Sequence, residues 1–167
     1  LKVIQMKQLR YENGDIDTID LRILSALADN ARVSIADLAR EIGMSAPSIA
    51  ERIRRLEQAG VITGYTVTLD PQALGLPLSV WLRIRPVPGQ LATVAGILTS
   101  LPEIVECDRV TGDDCFIARA YVTSVEHLER VIDQIIPFAM TNTAIIQSSP
   151  VKRRMPSVAK KDTGAGN

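Results

Sequence analysis

The sequence has few of the residues that build metal centres, disulfide frameworks or acid–base sites. Its two cysteines are Cys107 and Cys115, and its single histidine is His127. Two cysteines form neither a disulfide framework nor a spaced metal motif, so we expect free thiols in a reducing compartment. A catalytic imidazole needs an oriented partner, and the lone histidine is interpreted as a solvated or capping residue. We therefore predict no catalytic residues, no metal site and no cofactor.

Long apolar runs and an excess of one charge are also missing. No run approaches the roughly 20 apolar residues of a membrane-spanning helix, and residues 1–15 lack the compact apolar block of a signal peptide. We therefore expect a cytoplasmic protein with no membrane partner. The 19 basic and 19 acidic residues balance, which argues against non-specific coating of nucleic acid, because phosphate neutralisation requires a basic excess. A specific binder with a local basic patch is compatible with this balance.

Hydrophobic residues make up 46% of the 167 residues and charged residues 23%, as in folded globular proteins. In residues 15–60, apolar residues recur at helical spacing and predict three short helices. Ser34 and Ser45 precede the second and third helices as N-caps, while Gly43 and Gly60 follow them as stops. The alternation in residues 65–70 is typical of a strand.

A different pattern follows residue 77. Strand-like and helical segments alternate in the order β-α-β-β-α-β, the ferredoxin-like arrangement of two split βαβ units. The predicted strands are 79–85, 104–110, 115–122 and 141–148, and the predicted helices are 91–98 and 124–135. Two helices cover only one face of such a sheet, so we expect the other face to be buried in a second copy.

The first three helices carry the pattern of a DNA-binding unit. The second and third are separated by a tight turn at 43–44, as in a helix-turn-helix. With the apolar stripe of the third helix inward, its outward polar residues predict the DNA contacts: Ser45, Ser48, Arg52 and Arg55. Short hydroxyls approach base edges or phosphates, and arginines fork onto guanine or a backbone oxygen. An isolated arginine-bearing amphipathic helix is usually a solvated surface, but here it is the third of a trihelical unit.

The run from "DIDTIDLRILSALADN" to "LDPQALGL" resembles the DNA-binding half of the Lrp/AsnC (leucine-responsive regulator/asparagine regulator) family. The opening D-x-x-D-x-x-I-L-x-x-L and the close R-[VI]-x-x-L-E-x-x-G-V-I carry the resemblance, which extends through "LPEIVECDRVTGDD" and covers residues 15–152. It implies an α+β protein with an N-terminal winged helix-turn-helix domain and a C-terminal ferredoxin-like βαββαβ (RAM/ACT-like) domain. It also implies a nucleoid-associated, sequence-specific transcriptional regulator that binds a palindrome-like operator in double-stranded DNA. Homodimers assembling into tetramers or octamers are expected.

Five segments follow from these patterns. They are an N-terminal extension (1–14), the helix-turn-helix domain (15–63), a linker strand and hinge (64–77), the ligand-sensing and oligomerisation sandwich (78–151) and a basic tail (152–167). The basic residues of the tail are either phosphate contacts or a solvated terminus, and we favour the latter; they are Lys152, Arg153, Arg154, Lys160 and Lys161.

The resemblance further implies an amino-acid effector site at the loop after the second strand of the sandwich, where Gly-x-Tyr-Asp is typical. The matching residues are Gly112, Asp113, Asp114 and Cys115, so the tyrosine and aspartate positions differ. Either aspartate could bind an ammonium, and backbone N–H groups beside the glycine could bind a carboxylate. Thr143 on the last strand is a further candidate. The alternative is a simple hairpin turn, since such turns use glycine and aspartate.

Two other functions compete with a ligand-responsive regulator. Some tetrapyrrole (siroheme) decarboxylases resemble this family, with a degenerate helix-turn-helix and histidines that serve the substrate. The single histidine and the intact third helix argue against such an enzyme. A DNA-free sensing module would leave Arg52 and Arg55 without a role.

Overall fold

A computed structural model of the protein describes residues 16–151. These residues form two compact units, one extending to Val67 and the other spanning Thr68–Val151. The predicted N-terminal extension (1–14) and basic tail (152–167) lie outside the described residues. None of the helices in the described part combines the length and the apolar character needed to span a bilayer.

The first unit contains the three predicted helices. They are α1 (Thr18–Asp29), α2 (Ile35–Ile42) and α3 (Ala46–Gln58). Ser34 and Ser45 are the N-caps of α2 and α3, as predicted, and Gly43 ends α2 in the left-handed conformation with a φ of 82°. The helices share one apolar core, whose fully buried members are Ile23, Leu38, Ile49 and Leu56. Cap chemistry and helical spacing are local signals, and here they placed the helices correctly.

The strand predicted at residues 65–70 is absent from the structure. Residues 63–70 have no regular secondary structure, and Tyr65, Val67 and Leu69 are 53%, 73% and 62% exposed. A strand exists only when its backbone groups pair with a neighbouring strand. No segment within residues 16–151 pairs with this one, so the alternation alone did not produce a strand.

The second unit has the predicted βαββαβ order. Its elements are β1 (Leu78–Pro86), α4 (Leu91–Ser100), β2 (Ile104–Arg109), β3 (Phe116–Val122), α5 (Val125–Asp133) and β4 (Ala139–Ile145). The sheet order is β2-β3-β1-β4, and every neighbouring pair is antiparallel. Strand β4 begins two residues before the predicted start at 141. The fold is therefore α+β, as expected.

The two faces of the sheet differ sharply. Val80, Leu82 and Ile84 of β1 are fully buried in a core with residues of α4 and α5. The alternate residues Trp81 and Arg83 lie on the opposite face and are exposed. The second unit thus has one covered face and one open face.

Candidate nucleic-acid interface and ligand loop

The N-terminus of α3 presents two hydroxyls. Ser45 caps the helix by accepting a hydrogen bond from the backbone N–H of Ser48, and the two hydroxyl oxygens are 2.8 Å apart. The first turn contains no acidic residue, and Pro47 lies in it without cost because its missing N–H has no partner there. The partial positive charge of the helix N-terminus is therefore not neutralised by α3 itself. Such an end suits an anionic group.

The turn between α2 and α3 fixes the angle at which α3 is held. The backbone N–H groups of Gly43 and Met44 both donate to the carbonyl of Ala39, at 2.9 and 3.0 Å. Ala39 is 8% exposed and Ile49 is fully buried. A small residue at position 39 lets the two helices cross closely, and Ile49 belongs to the core that they share.

The sequence predicted that Arg52 points outward, and the structure shows that it does not. Its Nη1 donates to Asp17 Oδ2 and to Asp20 Oδ1, each at 2.7 Å, and its side chain is only 18% exposed. Asp20 is 2% exposed. Arg52 follows Ile49 by three residues and precedes Leu56 by four, so it borders the buried stripe of α3 rather than opposing it. The structure assigns its guanidinium to the contact between α3 and the start of α1.

The contacts of this cluster shift the pKa values of two of its members. The hydrogen bonds that Arg52 donates to Asp20 and then to Asp17 raise the pKa of Arg52 above its ordinary value despite partial burial. For Asp17, burial opposes ionisation, but the backbone N–H of Asp20 and the Arg52 guanidinium outweigh it and lower the pKa of the carboxyl. Both shifts favour the charged forms of Arg52 and Asp17.

The exposed side of α3 carries an arginine that the sequence reasoning did not select. Arg54 is 55% exposed and forms a two-point ion pair with Glu51, with N···O distances of 2.6 and 3.0 Å. This contact is the main cause that raises the pKa of Arg54 and lowers that of Glu51. Arg55 is half-buried, and its buried Nε has no hydrogen-bond partner among residues 16–151. Helical spacing was a sufficient signal, because the residues three and four positions from Arg54 all lie outside the buried stripe of Ile49, Ile53 and Leu56.

The predicted ligand loop, residues 111–115, joins β2 to β3. Gly112 adopts a φ of 109°, which favours glycine. Asp114 is 18% exposed and pairs with Arg83 at 2.7 Å, whereas Asp113 is 91% exposed and lies 3.4 Å from Arg85. Both carboxylates are thus matched by arginines of β1. The sequence reasoning missed these arginines, although the strand alternation placed them together on the open face.

An open cavity of about 300 Å³ adjoins this loop. Its lining combines charged, polar and apolar side chains: Arg83, Arg85, Asp114, Met140, Thr141 and Asn142. Thr143 is not among them. It pairs with Leu82 in the β1–β4 register and so lies on the helix-covered face, whereas Asn142 pairs with Arg83. The structure therefore does not bring Thr143 to the loop.

His127 is held by its neighbours. Its Nε2 is 2.8 Å from Glu103 Oε1, and its Nδ1 contacts the backbone N–H and the hydroxyl of Thr123. A hydrogen bond from its own backbone N–H and the contact with His127 lower the pKa of Glu103. Cys107 and Cys115 are free thiols, and burial raises the pKa of Cys107. Within residues 16–151 no cluster of histidine, cysteine and acidic side chains could hold a metal ion.

Comparison with known proteins matches two parts of the chain to two families. A winged helix-turn-helix DNA-binding family matches residues 16–63, and the Lrp/AsnC ligand binding domain matches residues 79–156.

Similar proteins are known along most of the chain. The HTH-type transcriptional regulator LrpC of Bacillus subtilis is 35% identical over 133 residues, which cover 80% of this chain and 92% of LrpC. Its structure has a TM-score of 0.80, with 84% of this chain and 100% of that chain covered. The leucine-responsive regulatory protein of Haemophilus influenzae is 33% identical over 75% of this chain and 78% of its own.

A feast or famine regulatory protein from M. tuberculosis, complexed with L-methionine, is also similar in structure. It has a TM-score of 0.79 at 29% identity and covers 85% of this chain and 99% of its own.

Proposed function

The chain belongs to the Lrp/AsnC family of transcriptional regulators, and we propose that α3 recognises specific double-stranded DNA while the loop at 111–115 binds a small effector. The observation that carries the DNA role is the exposed, acid-free N-terminus of α3 in a capped trihelical unit. Such a protein acts as a regulator rather than an enzyme, in the cytoplasm with the nucleoid. No observation within residues 16–151 favours the tetrapyrrole decarboxylase alternative, because both ring nitrogens of His127 already have partners.

Ser45, Ser48, Arg54 and Arg55 are the proposed DNA contacts. The two hydroxyls lie at the helix end that favours a phosphate. The guanidinium of Arg54 is exposed and can therefore contact a DNA phosphate or base. The pair with Glu51 is solvent-exposed and therefore weakly held, so a phosphate can replace it. Because the whole chain has no net charge, affinity per unit is modest, and two units on a two-fold axis are needed. Half-sites should then lie about 34–36 Å, one DNA turn, apart.

The DNA role is tested with duplexes selected from a random library. We expect Arg54→Ala to weaken binding and to reduce the slope of log K against log [salt] by about 0.9, the value for one phosphate. Ser45→Gly should also weaken binding, since glycine keeps most of the cap while removing the hydroxyl. Arg130→Ala, an exposed arginine on α5, is the matched control and should bind like the wild type. Unchanged binding by Arg54→Ala and Ser45→Gly would refute the proposed surface, and a wild type that selects no duplex would support the DNA-free module.

The proposed effector is an amino acid held at Gly112, Asp113 and Asp114. Its ammonium would pair with Asp114, and its carboxylate with Arg83 and the backbone N–H groups of the loop. The charges of the two aspartates and the two arginines cancel, which matches a zwitterion. The volume of the cavity beside the loop is at the lower end of the usual range for ligand pockets. A similar protein complexed with L-methionine supports this class of ligand.

A thermal-shift screen of the twenty amino acids, beginning with L-methionine, tests the effector role. A ligand that binds only the folded state raises the melting temperature. Asp114→Asn should abolish the shift, while Asp113→Asn should keep most of it, because that side chain is 91% exposed. A shift retained by Asp114→Asn would place the site elsewhere. No shift with any amino acid would favour the hairpin-turn alternative and leave the DNA role standing.

We also propose that the open face of the sheet packs against a second copy, giving homodimers that assemble into tetramers or octamers. The face presents Trp81, and the Arg119 guanidinium lies 5.7 Å from the Trp81 ring and 5.3 Å from the Tyr121 ring. Burial in a partner would remove this aromatic surface from water. Trp81→Glu should dissociate the assembly in analytical ultracentrifugation. An unchanged sedimentation coefficient would exclude this face as the interface.

A further inference from the structure

We propose that Arg52 is a positioning residue for DNA binding, which locks α3 to the N-terminus of α1 and makes no contact with DNA. The inference rests on the proposed DNA role of α3. It replaces the expectation that Arg52 reads the DNA directly.

The N-terminus of α1 is built as a receptor for this arginine. Asp17 and Asp20 form a capping box, in which Asp17 Oδ1 accepts from the Asp20 N–H at 2.8 Å and Asp20 Oδ2 accepts from the Asp17 N–H at 3.2 Å. The remaining oxygens, Asp17 Oδ2 and Asp20 Oδ1, both accept from Arg52 Nη1. Each carboxylate therefore divides its two oxygens between the box and the arginine. The box holds both carboxylates in the positions from which they accept from Arg52.

Burial makes this contact hard to exchange for a DNA phosphate. If Arg52 turned toward DNA, Asp20 would remain as an unpaired charge that is only 2% exposed, which is strongly destabilising. The cluster of Arg52 with the two aspartates also has a net charge of −1, because one arginine faces two carboxylates. A phosphate approaching it would be repelled.

The ion pairs of Arg52 fix the rotation of α3 about its own axis, which apolar packing alone leaves partly free. Ile49, Ile53 and Leu56 bury the inner side of α3, but the hydrophobic effect is non-directional and tolerates small rotations of the helix. A hydrogen-bonded ion pair has a defined direction. Arg52 lies four residues after Ser48, one turn along the same side of α3. Holding Arg52 therefore sets the direction in which the Ser45 and Ser48 hydroxyls point.

A charge-neutral rescue tests this role. Arg52→Gln leaves Asp20 unpaired, so we expect lower thermal stability of the first unit and DNA binding at least tenfold weaker. The triple variant Asp17→Ser, Asp20→Gln, Arg52→Gln keeps an S-x-x-Q capping box and replaces the ion pairs with an amide pair. We expect it to regain the melting temperature, to bind DNA within about threefold of the wild type and to keep the wild-type salt slope. Arg54→Gln is the matched control and should lose about 0.9 of the slope.

The outcomes separate this inference from the proposed function. A folded triple variant that stays weak, with its salt slope reduced by about 0.9, would show that Arg52 neutralises a phosphate and would overturn the inference. A wild type that selects no duplex would instead refute the proposed DNA role. If the triple variant does not fold, guanidinium NMR of the wild type decides. The Arg52 side-chain signal should be unchanged by the selected duplex while that of Arg54 shifts, and an equal shift at Arg52 would overturn the lock.

Discussion

Truncation of Ile49 should strongly destabilise the first unit and leave the second intact. Ile49 is fully buried where α3 meets α2, and Ile49→Ala removes every side-chain atom beyond Cβ. The expected loss is about 2–5 kcal/mol, since the cavity cost adds to the lost burial. A unit of this size has a total stability of only about 3–8 kcal/mol, at 0.05–0.15 kcal/mol per residue. The buried residues of the two cores form separate clusters that share no residue, so β1 and β3 should be unaffected.

Hydrogen exchange followed by mass spectrometry measures each unit separately. Amides of α1, α2 and α3 should lose protection by a factor of about 30 or more, the equivalent of 2 kcal/mol, and DNA binding should fall with them. Ile136→Ala removes the same atoms at a position that is 51% exposed and should change protection little. Loss of protection in β1 alongside α3 would refute the separation of the cores. Unchanged helices would refute the close packing of Ile49.

The remaining predictions concern backbone strain and acid. Gly43→Ala should lower the free energy of unfolding by about 1 kcal/mol, because Gly43 has a φ of 82°, although a Cβ there meets no atom within 4 Å. Gly96→Ala in α4 should instead raise it by about 0.4–1 kcal/mol. Urea titrations of the two variants and the wild type measure both changes. The pKa values of Asp17 and Glu103 are lowered in the folded state, so their contributions are complete above the unfolded pKa values and are lost as pH falls through the folded ones. The urea concentration at the midpoint of unfolding should therefore decrease as the pH is lowered below about 4, the unfolded range. This decrease with pH should be less steep in Glu103→Gln than in the wild type, and identical slopes would contradict the assignment.

The helices and most of the sheet could be predicted because their signals are local. Ser34 and Ser45 begin helices through contacts three residues away. The alternation of β1 also separated its buried from its exposed residues. At residues 65–70 the same alternation misled, because it reports which side chains could be buried and says nothing about a pairing partner. That information lies in another segment or in another chain.

The candidate site was less predictable, because its contacts join residues far apart in sequence. Arg52 meets Asp17 and Asp20 across more than thirty residues, and Arg83 meets Asp114 across 31. Spacing within α3 could show that Arg52 borders the buried stripe, but not that two carboxylates of α1 and its N-cap lie next to it. In the same way, the sequence placed Thr143 near the ligand loop, and only the register with β1 shows that it faces the other side of the sheet.

Exposure decides which arginines are free to act. Most arginines considered at these sites already have an acidic partner, so DNA or effector must replace a contact rather than fill an empty site. Arg54 and its partner Glu51 are 55% and 53% exposed, and such a solvated pair is worth about 0–1 kcal/mol, so Arg54 can exchange its carboxylate for a phosphate at small cost. Arg83 is itself 62% exposed, although its partner Asp114 is 18% exposed, and the ammonium of a bound amino acid would replace it beside Asp114. Arg52, 18% exposed and paired with an aspartate that is 2% exposed, cannot leave its partner in this way. The same residue type therefore serves recognition where its own guanidinium is exposed, and positioning where both members of the pair are buried.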